Sequence, residues 1–174
     1  MDSQFFEKRS HLFWVVLISV IAYFFLMSGN DIISLTHPDE VFYIQSAREM
    51  VAHNKWITPM IFDGVQFEKP FLAFALFAFG VKHFGLDPLW CRFFPSLFGI
   101  IGLGVTYWIS YAMFKKKRLA FLSGIVLGSS FIYLALSRAI LTDMIFSIIV
   151  VASLGMFYCA YQNQKFKTAG LLLS

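Results

Sequence analysis

The chain reads as an all-α polytopic membrane protein, and three features of the sequence predict it. Of its 174 residues 59% are hydrophobic and 14% charged, with a mean hydropathy of +0.71. Soluble domains run about 45–50% apolar and about 25% charged. The apolar residues gather in long runs, His11–Ser28, Phe71–Phe84, Phe93–Phe114, Leu119–Leu136 and Met144–Tyr161. All but the second approach the ~20 residues that a helix needs to cross a bilayer. Lysines and arginines cluster at the ends of these runs, where orientation is set. Placed there, a net charge of +4 argues against a nucleic-acid partner.

The first run follows Lys8-Arg9. It is longer than the roughly 7–15 apolar residues of a cleaved signal, and no small-x-small site follows, so it reads as an uncleaved anchor spanning 11–28. Phe71–Phe84 falls in the range of about 10–14 residues expected of interfacial or re-entrant segments. The later runs give spans at 92–114, 119–137 and 143–162. With about four spans, the clusters Lys8-Arg9, Lys115-Lys116-Lys117-Arg118 and Lys165 with Lys167 share one side, cytoplasmic by the positive-inside rule. A fifth crossing at Phe71–Phe84 would put the strongest cluster outside.

This topology makes 29–91 one long extracytoplasmic loop and puts the turn Ser137–Asp143 on the same side. Residues 1–174 then form a single transmembrane domain, without internal repeats or a soluble domain. The closing Thr168–Ser174 reads as the opening of another span, so a longer protein, truncated here, is expected. Cys91 and Cys159 fall on opposite sides, too far apart for a disulfide, and without zinc spacing they read as packing residues.

The loop holds the chemistry. Asp39, Glu40, Arg48, Glu49, Asp63, Glu68 and Lys69 stand between membrane segments, where ionisable groups are costly. Pro38 suits a first helical position, and acids in the first turn suit a helix N-terminus. Tyr43, Ala47, Met50 and Val51 recur at helical spacing, so an amphipathic helix lying on the membrane is expected, ending near His53-Asn54. Asp63-Gly64 between apolar residues signals a hairpin turn, which would deliver Glu68-Lys69-Pro70 to the head of the interfacial helix. Alternatives stay open: Asp39 and Glu40 could only cap their helix, and Glu68 and Lys69 could be a solvated pair. Arg92 and Arg138 could anchor the membrane edge, and Tyr43 and Trp56 could belong to an aromatic belt. His37, His53 and His83 lack the spacing partners that a metal needs.

Asp39-Glu40, Tyr43, Ala47-Arg48-Glu49-Met50, Trp56, Thr58-Pro59, Asp63-Gly64, Glu68-Lys69-Pro70 and Leu72, followed by Arg92 with Pro95 and Leu141-Thr142-Asp143-Met144, form a combined pattern. It resembles the N-terminal part of the lipid-sugar-dependent glycosyltransferases of the membrane-embedded GT-C fold, notably the aminoarabinose transferase and protein O-mannosyltransferase group. The pattern departs from that group at Phe42, where aminoarabinose transferases carry arginine, and at Phe71, where a second proline is usual.

The resemblance implies a GT-C-like bundle that transfers a sugar, with inversion, from a polyprenyl-phosphate donor to a lipid, glycan or protein acceptor outside the cytoplasm of a bacterial inner membrane. It implies Asp39 as the catalytic carboxylate, a general base or, for a phosphate acceptor, an electrostatic group. Glu40 would support Asp39 or point away, and Asp143 would be a second acid facing the cavity. Lys69 would neutralise the departing lipid phosphate, with Arg92, Arg138 and Tyr43 as further substrate contacts. Glu68 matches a position that contributes to a divalent-metal site in the aminoarabinose branch, so a metal ion is a possible cofactor. The rival class is a non-catalytic membrane protein: a transporter fragment, a subunit that binds lipid-linked glycans, or an inactive truncated transferase. Transporters place ionisable groups near the midplane of broken helices, whereas here the acids gather at one surface.

Overall fold

The computed structural model describes the main chain of residues 2–32 and 37–162, with side chains from His11 onward. The expected basic pair Lys165 and Lys167 and the segment Thr168–Ser174 lie outside the described residues. The chain is an all-α polytopic membrane protein: helices α1 (Asp2–Met27), α2 (Pro38–Ala52), α3 (Phe71–Phe84), α4 (Pro88–Cys91), α5 (Phe93–Phe114), α6 (Lys117–Gly128), α7 (Phe131–Arg138) and α8 (Thr142–Gln162). Between α2 and α3 lies a small antiparallel hairpin of β1 (Met60–Ile61) and β2 (Gly64–Val65).

Helices α5 and α8 are long and apolar enough to cross a membrane, and α6 with α7 makes a third crossing if the bent pair counts as one. The apolar part of α1, His11–Met27, is shorter, close to the lower limit of about 17 residues. The outward surfaces of these helices are apolar: Phe24, Val126, Leu154 and Phe157 are all more than half exposed. In water such a surface would drive aggregation; in lipid it is the expected exterior.

Helix α5 is the hub, packed against α1, α6, α7 and α8. Small residues allow that approach. A Cβ at Gly99 would come within 2.6 Å of Ser137 Oγ, and one at Gly102 would collide with Tyr133 and Ile148. The Tyr133 hydroxyl donates to the Gly99 carbonyl, so α7 is fixed to α5 by a hydrogen bond as well as by packing.

Two features depart from the sequence reading. The apolar run 119–137 is not one straight helix: α6 and α7 meet at 68° around Ser129-Ser130. Gly128, Ser129 and Ser130 are weak helix formers. The Ser129 hydroxyl donates to the Val126 carbonyl and the Ser130 N–H to the Leu127 carbonyl, which closes α6. Secondly, the apolar face of α2 is covered by protein. Tyr43, Ile44, Ala47 and Met50 pack on Ala73, Phe74, Phe77 and Ala78 of α3 in one buried cluster with Cys91, Ile140 and Ile145. A paired helix removes that stripe from the interface more completely than a bilayer surface would.

Candidate functional site

At the end of the bundle where α1 stops and α5 and α8 begin, the loop folds back onto the helix ends. Asp39 N–H donates to His37 Nδ1 at 3.4 Å, and Pro38 opens α2. With 3.6 residues per turn, consecutive side chains in this first turn point about 100° apart, and the two acids separate. Asp39 is largely exposed, whereas Glu40 is buried at 6%.

Glu40 meets Arg92, which stands between α4 and α5 and is itself buried at 4%. Arg92 Nε donates to Glu40 Oε1 at 3.1 Å and Nη2 to Oε2 at 2.8 Å, the planar two-point pairing that guanidinium and carboxylate favour. Glu40 Oε1 also accepts the Ile140 N–H at 3.1 Å, which ties the α7–α8 connection to α2. The Arg92 Nη1 donates to the Asn30 carbonyl at 2.9 Å.

Asn30, just past α1, completes the junction. Its amide nitrogen donates to the Leu26 carbonyl and to Ser96 Oγ, while its side-chain oxygen accepts Arg138 Nε at 3.1 Å. Arg138 also donates through Nη2 to the Ser28 carbonyl at 2.8 Å and through Nη1 to that of Phe25 at 3.3 Å. The Ser96 hydroxyl lies within reach of the Leu26 and Ser137 carbonyls. The free carbonyls that end α1 are thus taken up by polar groups from α5 and α7. No buried side-chain nitrogen or oxygen among the described residues lacks a partner.

Between these groups opens a cleft of about 280 Å³, lined by His37, Glu40, Arg92, Arg138, Asn30 and Leu141 among others. Asp39 is not among the lining residues, although it lies in the chain between two of them, His37 and Glu40. Of the residues singled out from sequence, the structure brings Glu40, Arg92 and Arg138 together. Tyr43 is buried between α2 and α3 against Phe74 and Phe77, away from the cleft lining. Asp143 is exposed in the first turn of α8, and Glu68 and Lys69 are exposed just before α3.

A divalent metal needs several ligands. Among the described residues no group of three or more His, Cys, Asp or Glu side chains could hold one. Glu68 therefore does not by itself make a metal centre.

A second polar cluster fixes the hairpin. Glu49 accepts from Gln45 Nε2 at 2.8 Å and from the N–H groups of Phe62 and Asp63 at 3.0 and 3.2 Å. His53 Nε2 lies 3.2 Å from Asp63 Oδ1, and Gln66 Nε2 donates to Ser46 Oγ. The turn is centred on Phe62-Asp63, both with positive φ of 50° and 61°, and Gly64 is already in β2. The expected Asp63-Gly64 turn is thus displaced by one residue, because the Glu49 carboxylate collects the N–H groups of Phe62 and Asp63. Partial burial is the largest influence on Glu49 and pushes its pKa up, but the Gln45 amide, the two backbone N–H groups and His53 together hold it below the ordinary value. Burial chiefly pushes the Cys91 thiol up to about 11, so it is an inert packing group.

The sequence model of the family described as dolichyl-phosphate-mannose-protein mannosyltransferase matches residues 12–173. The chain belongs to that mannosyltransferase family. Relatives include an uncharacterized protein of Aquifex aeolicus, 29% identical over 88% of this chain and 30% of that protein. Another is the undecaprenyl phosphate-alpha-4-amino-4-deoxy-L-arabinose arabinosyl transferase of Erwinia tasmaniensis, 28% identical over 92% of this chain and 29% of its own length. Among solved structures, ArnT from Cupriavidus metallidurans bound to undecaprenyl phosphate superimposes with a TM-score of 0.73 at 27% identity, over 82% of this chain and 26% of that one. The GT-C-like membrane fold implied by the sequence pattern is shown by that likeness. The chain spans about 30% of the length of the curated relatives it matches.

Asn30, Ser96 and Ser137 were missed by sequence reasoning, although they hold this mannosyltransferase-family junction together. A visible signal existed: each is a small polar residue beside or inside an apolar run, where polar side chains bind neighbouring helices.

Proposed function

We propose that this chain contributes the first-loop site of a multi-pass membrane glycosyltransferase of the bacterial inner membrane. The enzyme moves a sugar from a polyprenyl-phosphate carrier to a lipid, glycan or protein acceptor at the extracytoplasmic face. One observation carries the reading: Asp39 is an exposed carboxylate, in the chain between two residues that line the polar cleft, on a helix whose next residue is clamped by a buried two-point ion pair. A general base must be held in place without being consumed by partners of its own. Glu40 supplies the first requirement and the exposure of Asp39 the second.

In this reading Asp39 orients or deprotonates the acceptor hydroxyl. Lys69, at the head of α3, meets the phosphate that departs with the polyprenyl chain and stabilises the charge developing there. Asp143 adds a second acid near the cleft, and Glu40 and Arg92 position rather than react. Family membership, the arabinosyl transferase relatives and the likeness to an undecaprenyl phosphate-bound structure support a carrier-lipid donor.

The test is transfer from a radiolabelled polyprenyl-phosphate sugar in membranes containing the full-length protein. Asp39→Asn is expected to abolish product while inserting normally, and Lys69→Ala to raise the donor KM. Product formed at the unmodified rate by the Asp39→Asn protein refutes the assignment.

A further inference from the structure

Below the polar cleft lies a second cavity that the transfer reaction does not use. It measures about 360 Å³ and is walled by Ile18, Ile21, Phe25, Leu103, Ile125 and Leu134 among others. That is more than twice the ~150 Å³ of an apolar cavity able to take up benzene. Gly128 and Ser129, at the break between α6 and α7, form part of the wall, so the 68° bend opens it. Ile21, Phe25 and Ile125 are exposed, so the groove opens sideways, toward hydrocarbon.

The two cavities are stacked. Near the end of α1, Phe25 and Leu26 line the lower one and, just past the helix, Gly29 and Asn30 line the upper; on α7, Leu134 lines the lower and Ala135 and Arg138 the upper. Arg138 stands at the junction, with Nη1 on the carbonyl of Phe25. Its acceptors are the carbonyls of Phe25 and Ser28 and the side-chain oxygen of Asn30, all neutral. Among the described residues no carboxylate pairs with it, whereas the neighbouring Glu40 and Arg92 neutralise each other. An aliphatic groove capped by an uncompensated guanidinium has the charge pattern of a lipid with a phosphate head.

We propose that this seam seats a bilayer phospholipid, one acyl chain in the groove and its phosphate against Arg138. The donor lipid is not the occupant, because Lys69 leads α3, which packs on α2, α4, α5 and α8, whereas the groove belongs to α1 with α5, α6 and α7. The two lie on different flanks of α5. The groove and its cap by Arg138 do not depend on the proposed function; the exclusion of the donor lipid rests on its Lys69 assignment and is tested separately by undecaprenyl phosphate.

Native mass spectrometry of the full chain, purified in mild detergent and titrated with phosphatidylglycerol, phosphatidylcholine or undecaprenyl phosphate, tests it. One phosphatidylglycerol per chain is expected, in preference to the other two lipids. Arg138→Gln should weaken that binding about tenfold, the worth of one charge-assisted contact. Ile125→Trp fills the groove from an exposed position without touching the arginine network, and should weaken it comparably even if the arginine variant fails to fold. Phosphatidylglycerol affinity unchanged in Ile125→Trp, or a preference for undecaprenyl phosphate, overturns the proposal.

Discussion

Replacing Glu40 tests whether the cleft is held by its ion pair. The carboxylate accepts three bonds, two from Arg92 and one from the Ile140 N–H, and both partners are almost inaccessible. Glu40→Ala would strand a buried guanidinium, which costs about 3–5 kcal/mol when one partner of a buried pair is removed. It would also leave a buried amide without an acceptor, worth roughly 1–3 kcal/mol alone. Water entering the space vacated by the carboxylate would serve both groups, so the terms do not add, and about 4 kcal/mol is the expected loss. Arg92→Met alone should cost a similar amount, because it leaves the carboxylate unpaired. The double variant Glu40→Leu/Arg92→Met removes both charges, and exchanging a buried pair for apolar residues is often neutral. It should recover most of the loss, with a coupling energy above about 2 kcal/mol. Reversible unfolding in detergent micelles, followed by tryptophan emission, measures the cycle. Glu40→Ala within about 1 kcal/mol of the parent, or additive single effects, would show that the pair does not organise this end of the bundle.

Three further outcomes follow from the same geometry. Gly99→Ala should cost about 1–3 kcal/mol, since the new methyl meets Ser137 Oγ at 2.6 Å, while Gly104→Ala, with nothing within 4 Å, should gain up to about 1 kcal/mol from helix propensity; thermal melts of the two variants must move in opposite directions. Folding lowers the Glu49 pKa below its ordinary value, so the clasp on the hairpin is fully present above that ordinary value and is lost as pH falls through the folded-state pKa. Protease cleavage at the Phe62-Asp63 turn should accordingly rise as the pH falls below the ordinary glutamate range, and Glu49→Gln should cleave readily at every pH; a pH-independent parent would contradict this. Membrane-impermeant maleimide should label Asp63→Cys in intact cells and leave Lys116→Cys untouched until the membrane is opened, and labelling of both from outside would remove the topology on which the site rests.

Much of the fold was written in local pattern. The 14 residues Phe71–Phe84 form α3 with the expected bounds, and α5 occupies Phe93–Phe114, because an apolar run ending in charge or Pro/Gly punctuation is a local property. The break at Ser129-Ser130 was not legible, since the apolar run resumes after three small residues, and the Ser129 hydroxyl and Ser130 N–H that close the helix bond only within the last turn. The pairing of Glu40 with Arg92 spans 52 residues and that of Asn30 with Arg138 spans 108. Nothing local announces either, for each depends on which helices end side by side. The sequence pattern could list the charged residues of the site but could not say which of them neutralise one another.

That distinction decides how the Asp39-Glu40 dipeptide works. Chemically the two side chains are nearly equivalent, and a sequence reading can exchange their roles freely. Helical phase cannot. Because α2 starts at Pro38 and buries Tyr43, Ala47 and Met50, it must also turn the residue three before Tyr43 toward the protein, and that residue is Glu40. The buried position demands a cation, which Arg92 provides, and Asp39 is left exposed, with the equally exposed His37 imidazole 3.8 Å away. Phe42 extends the same logic: it packs against the buried cluster at the position where aminoarabinose transferases carry arginine. Under the proposed function, the positive charge that meets a donor phosphate is assigned to another element, Lys69 at the head of α3, whose loss is expected to raise the donor KM.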